Sequence, residues 1–471
     1  MPLSISISDA FDGGNIKYID RQPNPNDFNT IDVFLQIKPD VFTELENIAH
    51  MQYFSFRVTI SGLPQGTSQR IRYVLENADR VSYPEAWSGT TVCYSSDVEN
   101  VDSWKRNLDT FYTQGQLSWE HEHTSNGSMY FSYFPPFSYA RHLSLIAKCT
   151  TSPHANVESL GQTLEGREME CITVGTGPLV CWVIHRQHPG ETMAEHYAEG
   201  LLTRLLGLDT EGIIDDQASR CLALYTFHII PCMCPDGAVR GHLRTNSVGA
   251  NLNREWATKG DYQAPTLERS PEVYHVLRKM DETGVDCCLD IHGDEELPYN
   301  FISGAEKTPK WGERMQHLHG AFTAAYARAN SDMQQKIGYP PPDKAEDALH
   351  YMNVATNQIS NRFDCLAVTL EMPFKDCLSN SDKVYGWTPA RSRKLGASVL
   401  GPLEYIHPHL RASGDFWTKL SPDDAYVQPT DDYQQFESHQ DDFGDGPGFT
   451  MLKKRLYSDV HEIHKQPFVN K

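Results

Sequence analysis

At 471 residues the chain is long for one compact core, so two domains are expected. With 39% hydrophobic and 22% charged residues, the composition excludes a globally disordered chain. Asp and Glu number 62 against 41 Lys and Arg, a net charge of −21, which argues against nucleic acid or an anionic membrane as partner.

The first residues, Met1-Pro2-Leu3-Ser4-Ile5-Ser6, lack the basic and apolar regions of a secretory signal. The longest apolar stretches, such as 179–184, are the size of strands and not of membrane spans. Eleven cysteines show no repeated CxxC pairing; Cys287 and Cys288 are adjacent, and Cys232 and Cys234 flank one Met. Buried free thiols in a reducing compartment fit best, and a cytoplasmic location is expected.

The first elements are β. Phe54, Phe56, Val58 and Ile60 alternate with Ser55, Arg57 and Thr59, the period of a half-buried strand. Val33, Leu35 and Ile37 alternate with Phe34, Gln36 and Lys38 in the same way. Turn signals at Gly13-Gly14, Gly62-Leu63-Pro64 and Asn126-Gly127 cut the segment into short strands. An antiparallel β-sandwich over residues 1–137 is expected, ending at Phe134-Pro135-Pro136-Phe137.

The pattern then changes. The run 179–184 reads as a strand buried on both faces. A helix is predicted over about 191–206, with Leu201, Leu202, Leu205 and Leu206 on its apolar face. A strand follows over 222–230. Ser270 reads as the cap and Pro271 as the first residue of a helix carrying Val273, Val276, Leu277 and Met280. Strands over 285–291 and 366–370 enclose a helix over about 311–329. This alternation predicts an α/β domain, residues 138–407, with a mainly parallel sheet flanked by helices. Functional residues then gather at the carboxyl ends of its strands. From 408 to 471 the chain is acidic and loop-like, notably at 429–432 and 440–448, and reads as an extension packed on the core or partly mobile.

Four features carry chemistry. His188-Pro189-Gly190-Glu191 follows a buried strand and opens a helix, so His188 and Glu191 can meet at one point; imidazole and carboxylate both suit Zn²⁺. The bland alternative is a turn whose Glu complements a helix N-terminus. His185, Glu195 and His196 are rival ligands, though their positions fit packing or solvation better. Asp290-Ile291-His292-Gly293 ends the next strand but one, which brings His292 to the same sheet edge. Three ligands with one open position mark a catalytic zinc, and Asp290 is placed to orient a ligand. Asp294, Glu295 and Glu296 read as loop charges first. Arg244 and the stretch Asn251-Leu252-Asn253-Arg254 offer donors for a free carboxylate. Glu371, in Thr369-Leu370-Glu371, ends an apolar strand, where a carboxyl beside zinc could take a proton from water.

In this order the four segments, with Phe134-Pro135-Pro136-Phe137, resemble the cytosolic carboxypeptidase subfamily of the zinc carboxypeptidase superfamily, over most of the chain up to about residue 407. The resemblance implies one Zn²⁺ per chain held by His188, Glu191 and His292. It implies Glu371 as general base and then proton donor, and Arg244 polarising the scissile carbonyl. Asn253 and Arg254 would grip the terminal carboxylate of a peptide or protein substrate. Tyr351 is the candidate for the family's mobile tyrosine. Cys234 departs from the family, standing where Asn is expected. The subfamily's association with acidic C-terminal residues calls for a basic side chain in the pocket, with Arg362 and Lys344 as candidates. Rival readings are an aspartoacylase-like or desuccinylase-like zinc amidohydrolase and a catalytically inactive peptide-binding protein.

Overall fold

The computed structural model describes residues 2–43, 49–257, 263–412 and 414–433. The acidic stretch 440–448 read above lies outside the described residues.

The N-terminal strands are β1 Ser4–Ser8, β2 Lys17–Pro23, β3 Thr30–Gln36, β4 Ser55–Ser61, β5 Gln69–Leu75, β6 Val92–Ser95, β7 Lys105–Asn107, β8 Thr110–Thr113, β9 Gln116–His123 and β10 Gly127–Ser132. They form two five-stranded sheets, ordered β1-β4-β10-β6-β7 and β2-β3-β5-β9-β8. Alternation turns Phe56, Val58 and Ile60 of β4 inward. From the other sheet Tyr73 and Trp119 meet them, with Tyr73 6.0 Å and Trp119 6.2 Å from the Phe56 ring. The sandwich is antiparallel except at β3 and β5, which run parallel.

The second part starts with α1 Tyr139–Thr151, β11 Ala155–Gln162, β12 Glu168–Val174 and β13 Leu179–His185. There follow α2 Met193–Leu206, α3 Asp216–Leu224, β14 Tyr225–Ile230, α4 Pro235–Arg240, α5 Pro271–Thr283 and β15 Cys287–Ile291. It closes with β16 Phe301–Ser303, α6 Glu313–Ala329, α7 Ala345–Leu349, α8 Ala355–Phe363, β17 Leu366–Glu371, α9 Pro389–Ser398 and α10 Leu400–Ile406. The seven-stranded sheet is ordered β11-β12-β14-β13-β15-β17-β16. Its four central strands run parallel, and antiparallel strands close both edges. Successive residues of β13 point to opposite faces. Cys181 and Val183 pack with α2, α6, α9 and α10, and Trp182 and Ile184 with α5 and α8. That two-sided burial is why the run reads as continuously apolar.

Two sequence expectations shift. The run 222–230 is not one strand: Leu222 and Leu224 finish α3, and the strand begins at Tyr225. Ser270 does not cap α5 with its side chain; its hydroxyl donates to Glu255 at 3.1 Å, while Pro271 takes the first turn. The extension packs on the core as far as residue 433. Thr430 pairs with Lys336 and Gly338, and Asp424 takes Arg328 at 2.9 Å and Tyr405 at 2.6 Å. All eleven cysteines are free and buried. No helix among the described residues is long and apolar enough to cross a membrane.

Candidate active site

In the parallel register His185 pairs with Ile291, and Ile291 with Leu370. His188, His292 and Glu371 therefore leave the sheet along one carboxyl edge. His188 Nδ1 lies 2.6 Å from Glu191 Oε1 and 3.2 Å from His292 Nδ1, and His292 Nδ1 lies 2.9 Å from Glu191 Oε2. One donor atom from each residue falls within 4.8 Å of the others, and all three residues are buried. Two imidazoles and a carboxylate converging this closely are the donor set of a catalytic zinc, so the residues fit the ion.

The outward nitrogens are fixed from behind. His292 Nε2 lies 2.9 Å from Asp290 Oδ1, and Asp290 Oδ2 accepts from Gln187 at 2.7 Å. Trp256 Nε1 donates to the other end of Gln187 at 2.8 Å. His188 Nε2 lies 3.1 Å from Asn251 Oδ1. Such partners set the tautomer and orient the ring. Burial and the nearby Arg244 charge push the His188 pKa down to about 3. Against the cost of burial, His188 and His292 hold Glu191 well below the usual carboxylate range.

The turn carrying the first two ligands is held by close contact. A Cβ on Gly190 would meet Leu243 O at 2.9 Å, and Gly190 N–H donates to that same oxygen, also at 2.9 Å. Behind the turn, buried Arg186 donates to Pro189 O at 2.9 Å and Phe137 O at 3.0 Å, and pairs with Glu195 at 2.7 Å. Phe134-Pro135-Pro136-Phe137 is thus part of the support of the ligand turn. Glu195 and the other two rivals take structural places. Glu195 also lies 2.6 Å from His142 Nδ1. His185 Nδ1 meets Ile230 O at 2.8 Å, and His196 sits on the Phe137 ring at 4.9 Å.

Glu371 is the last residue of β17 and is buried, with Oε2 lacking a hydrogen-bond partner. Burial, opposed by His292 and reinforced by Glu191, Asp294 and Glu295, pushes its pKa well above the usual carboxylate range. Asn253 Oδ1 accepts from Ala355 N at 2.9 Å and its Nδ2 faces His292 Nε2 at 3.5 Å; Arg254 Nη1 donates to Asn253 O at 2.8 Å. Tyr351 is half-buried just beyond α7; burial raises its pKa, and the Arg254 charge opposes the rise. A second tyrosine, Tyr339, donates to Asp294 and lies in the field of Glu371. Asp294 is a buried anchor and not a solvated loop charge, since it also accepts from Glu296 N at 2.8 Å.

Of the two basic candidates for a pocket that would take an acidic residue, one lies elsewhere. Arg362 ends α8, which runs away from the site, and pairs with Asp281 at 2.7 Å. Lys344 is exposed.

Residues 143–392 match the family described as zinc carboxypeptidase, and residues 7–134 match the cytosolic carboxypeptidase N-terminal domain. The chain belongs to the zinc carboxypeptidase family. An uncharacterized protein of Zymomonas mobilis is 38% identical over 88% of this chain and 99% of its own. A metallo-carboxypeptidase from Burkholderia cenocepacia superposes with a TM-score of 0.76 at 36% identity, covering 86% of this chain and 99% of that one. A metallo-carboxypeptidase from Pseudomonas aeruginosa, solved in complex with (2-guanidinoethylmercapto)succinic acid, gives 0.75 at 35%, covering 86% and 100%.

The loop between Arg244 and Asn251 is organised by Asn246. It accepts from Ala250 N at 3.0 Å and donates toward the buried Glu272 carboxyl at 3.3 Å. Burial, the largest cause, pushes the Glu272 pKa from its ordinary 4.5 up to about 8. A carboxyl raised on folding contributes stability that is whole below the unfolded pKa and is lost as pH rises through the folded one. Wild-type stability is therefore expected to fall by about 3 kcal/mol more than that of Glu272→Gln between about pH 6 and about pH 9. Denaturant midpoints of the two proteins at both pH values check this; parallel curves would refute it.

Proposed function

We propose that the protein is a single-zinc carboxypeptidase that removes residues one at a time from peptide C-termini. The supporting observation is the convergence of His188, Glu191 and His292 on one point, at the same sheet edge as Glu371. When bound by these three residues, zinc supplies Lewis acidity and lowers the pKa of a water. Glu371 takes the proton of the attacking water at its unpartnered Oε2 and returns it to the leaving amine. Arg244 holds a fixed positive charge where the scissile carbonyl gains negative charge. Asn253 and Arg254 grip the terminal carboxylate, which restricts attack to the last bond; the succinate of the ligand bound to the P. aeruginosa relative has carboxylates of that type. Tyr351, near Arg254, borders the substrate. Arg362, paired with Asp281, gives no support to a preference for acidic C-terminal residues.

A panel of peptides differing only in the last residue, followed by mass spectrometry, tests the reading. Stepwise C-terminal loss that a chelator abolishes and zinc restores is expected. Hydrolysis of N-acyl amino acids with no peptide cleaved would overturn it in favour of the small-molecule amidohydrolase.

A further inference from the structure

The N-terminal sandwich reaches into the active site at two places. Asp40, 2% exposed, lies just after β3. Its carboxylate accepts from Leu243 N at 2.7 Å, Arg244 N at 2.8 Å, Thr245 N at 2.9 Å and Thr245 Oγ1 at 3.0 Å. Four donors on one buried carboxylate fix the backbone that carries Arg244. Two residues on, Phe42 adopts a left-handed φ of 64°, and its carbonyl oxygen lies 2.9 Å from where a Cβ on Gly249 would stand. The Asp40 tip is therefore seated against both ends of the 243–249 loop.

The second place is Tyr83, whose hydroxyl accepts from Arg244 Nη1 at 3.2 Å. Its backbone is clamped by Gln52, which accepts from Tyr83 N at 3.0 Å and donates to Tyr83 O at 3.1 Å. The turn it opens is anchored in the catalytic part. The buried Lys375 ammonium donates to Ala86 O at 3.0 Å and Ser88 O at 2.8 Å, and Lys375 stands four residues after Glu371. Tyr133 of the sandwich stacks on Phe374 at 4.5 Å. Tyr83 is thereby held in register with Arg244 on one side and with the strand end of Glu371 on the other.

We propose that Asp40 and Tyr83 of the N-terminal domain are positioning residues for the reaction, Asp40 fixing the main chain of Arg244 and Tyr83 fixing its guanidinium. The inference rests on the carboxypeptidase reading. Arginine has a long, rotamer-rich side chain, and it stabilises a developing charge only when its fork is already in place. The sequence offers no sign of this, since the partners lie 204 and 161 residues from the loop they hold.

The test uses the zinc-loaded full chain and the best peptide of the panel. Tyr83→Phe removes one acceptor atom. It is expected to lower kcat by about tenfold with KM within about twofold, a fraction of the ~10²–10³ that removing an oxyanion donor costs. The same substitution in an Arg244→Ala background, read over long incubations, is expected to change nothing further. Asp40→Asn puts an amide NH2 in place of one carboxylate oxygen, so it faces either the Leu243 N–H or the Arg244 and Thr245 donors, and is expected to lower kcat, with zinc content kept. An unchanged kcat in Tyr83→Phe, or an equal loss with and without Arg244, would overturn the proposal; if Asp40→Asn fails to fold, the Tyr83 pair decides alone. Peptide release by the wild type separates the two readings: without it the carboxypeptidase reading fails and this inference falls with it.

Discussion

Glu371→Gln is expected to lower kcat by about 10²–10⁴-fold, the usual contribution of a positioned general acid–base, while leaving zinc content unchanged. The geometry separates these two effects. His292 N donates to Leu370 O and Asp294 N to Met372 O, each at 2.8 Å, so the main chain on both sides of residue 371 is pinned without its carboxyl. The side chain emerges between those bonds as a buried carboxyl with one unpartnered oxygen. A buried polar atom left unsatisfied costs about 1–3 kcal/mol. Its retention on a strand end beside a metal-ligand set fits a group kept for proton transfer. Gln keeps the shape but cannot accept the proton, so the thermal midpoint should hold or rise while turnover collapses. Activity within about threefold of wild type would remove Glu371 from the role of base, because general-base assistance is worth at least ~10². Loss of zinc would instead place the residue among the ligands.

What the sequence makes legible here follows from local physics. His188 and Glu191 are joined by two residues, Pro189 and Gly190, so one short segment determines their meeting. His292 and Glu371 are readable because a parallel sheet aligns its carboxyl ends, and a polar residue closing an apolar strand marks such an end. Residues held by tertiary contact alone leave no such mark. Asp40 and Tyr83 look like ordinary polar residues of a β domain. Asn251 opens the Asn251–Arg254 stretch, yet its role behind His188 depends on a fold that joins positions 63 residues apart. Arg362 carries the right charge, but charge has no address; only the direction of α8 sends it to the far end of the sheet. The 222–230 run failed as one strand because a helix end and a buried strand share the same apolar composition, and period alone does not separate them. The parallel pairing of β3 with β5 is equally silent, since inward-outward alternation is the same for either direction.

His292→Ala is expected to abolish activity and also to destabilise the fold, which distinguishes it from stripping the metal with a chelator. The two treatments leave different charges behind. Removing zinc leaves the imidazole bridging two carboxylates, Asp290 at 2.9 Å through Nε2 and Glu191 at 2.9 Å through Nδ1. A protonated His292 offsets one of those two negative charges and hydrogen-bonds both carboxylates, so the metal-free wild type should stay folded and regain activity when zinc returns. Removing the imidazole leaves Asp290 and Glu191, 1% and 3% exposed, facing a gap. Asp290 retains Gln187, and Glu191 retains His188 and the Gly293 N–H at 3.1 Å, but the cation between them is gone. Breaking a buried ion pair by deleting one partner costs about 3–5 kcal/mol. Urea midpoints of metal-free wild type and metal-free His292→Ala should differ by that amount at neutral pH. The gap should narrow in acid, where Glu191, held below the usual carboxylate range by the two imidazoles, takes up a proton and no longer needs the imidazolium. Equal midpoints would mean that water already compensates the two carboxylates, and stoichiometric zinc in the variant would mean that His292 is not a ligand. Loss of activity alone would distinguish neither, which is why stability is the quantity to measure.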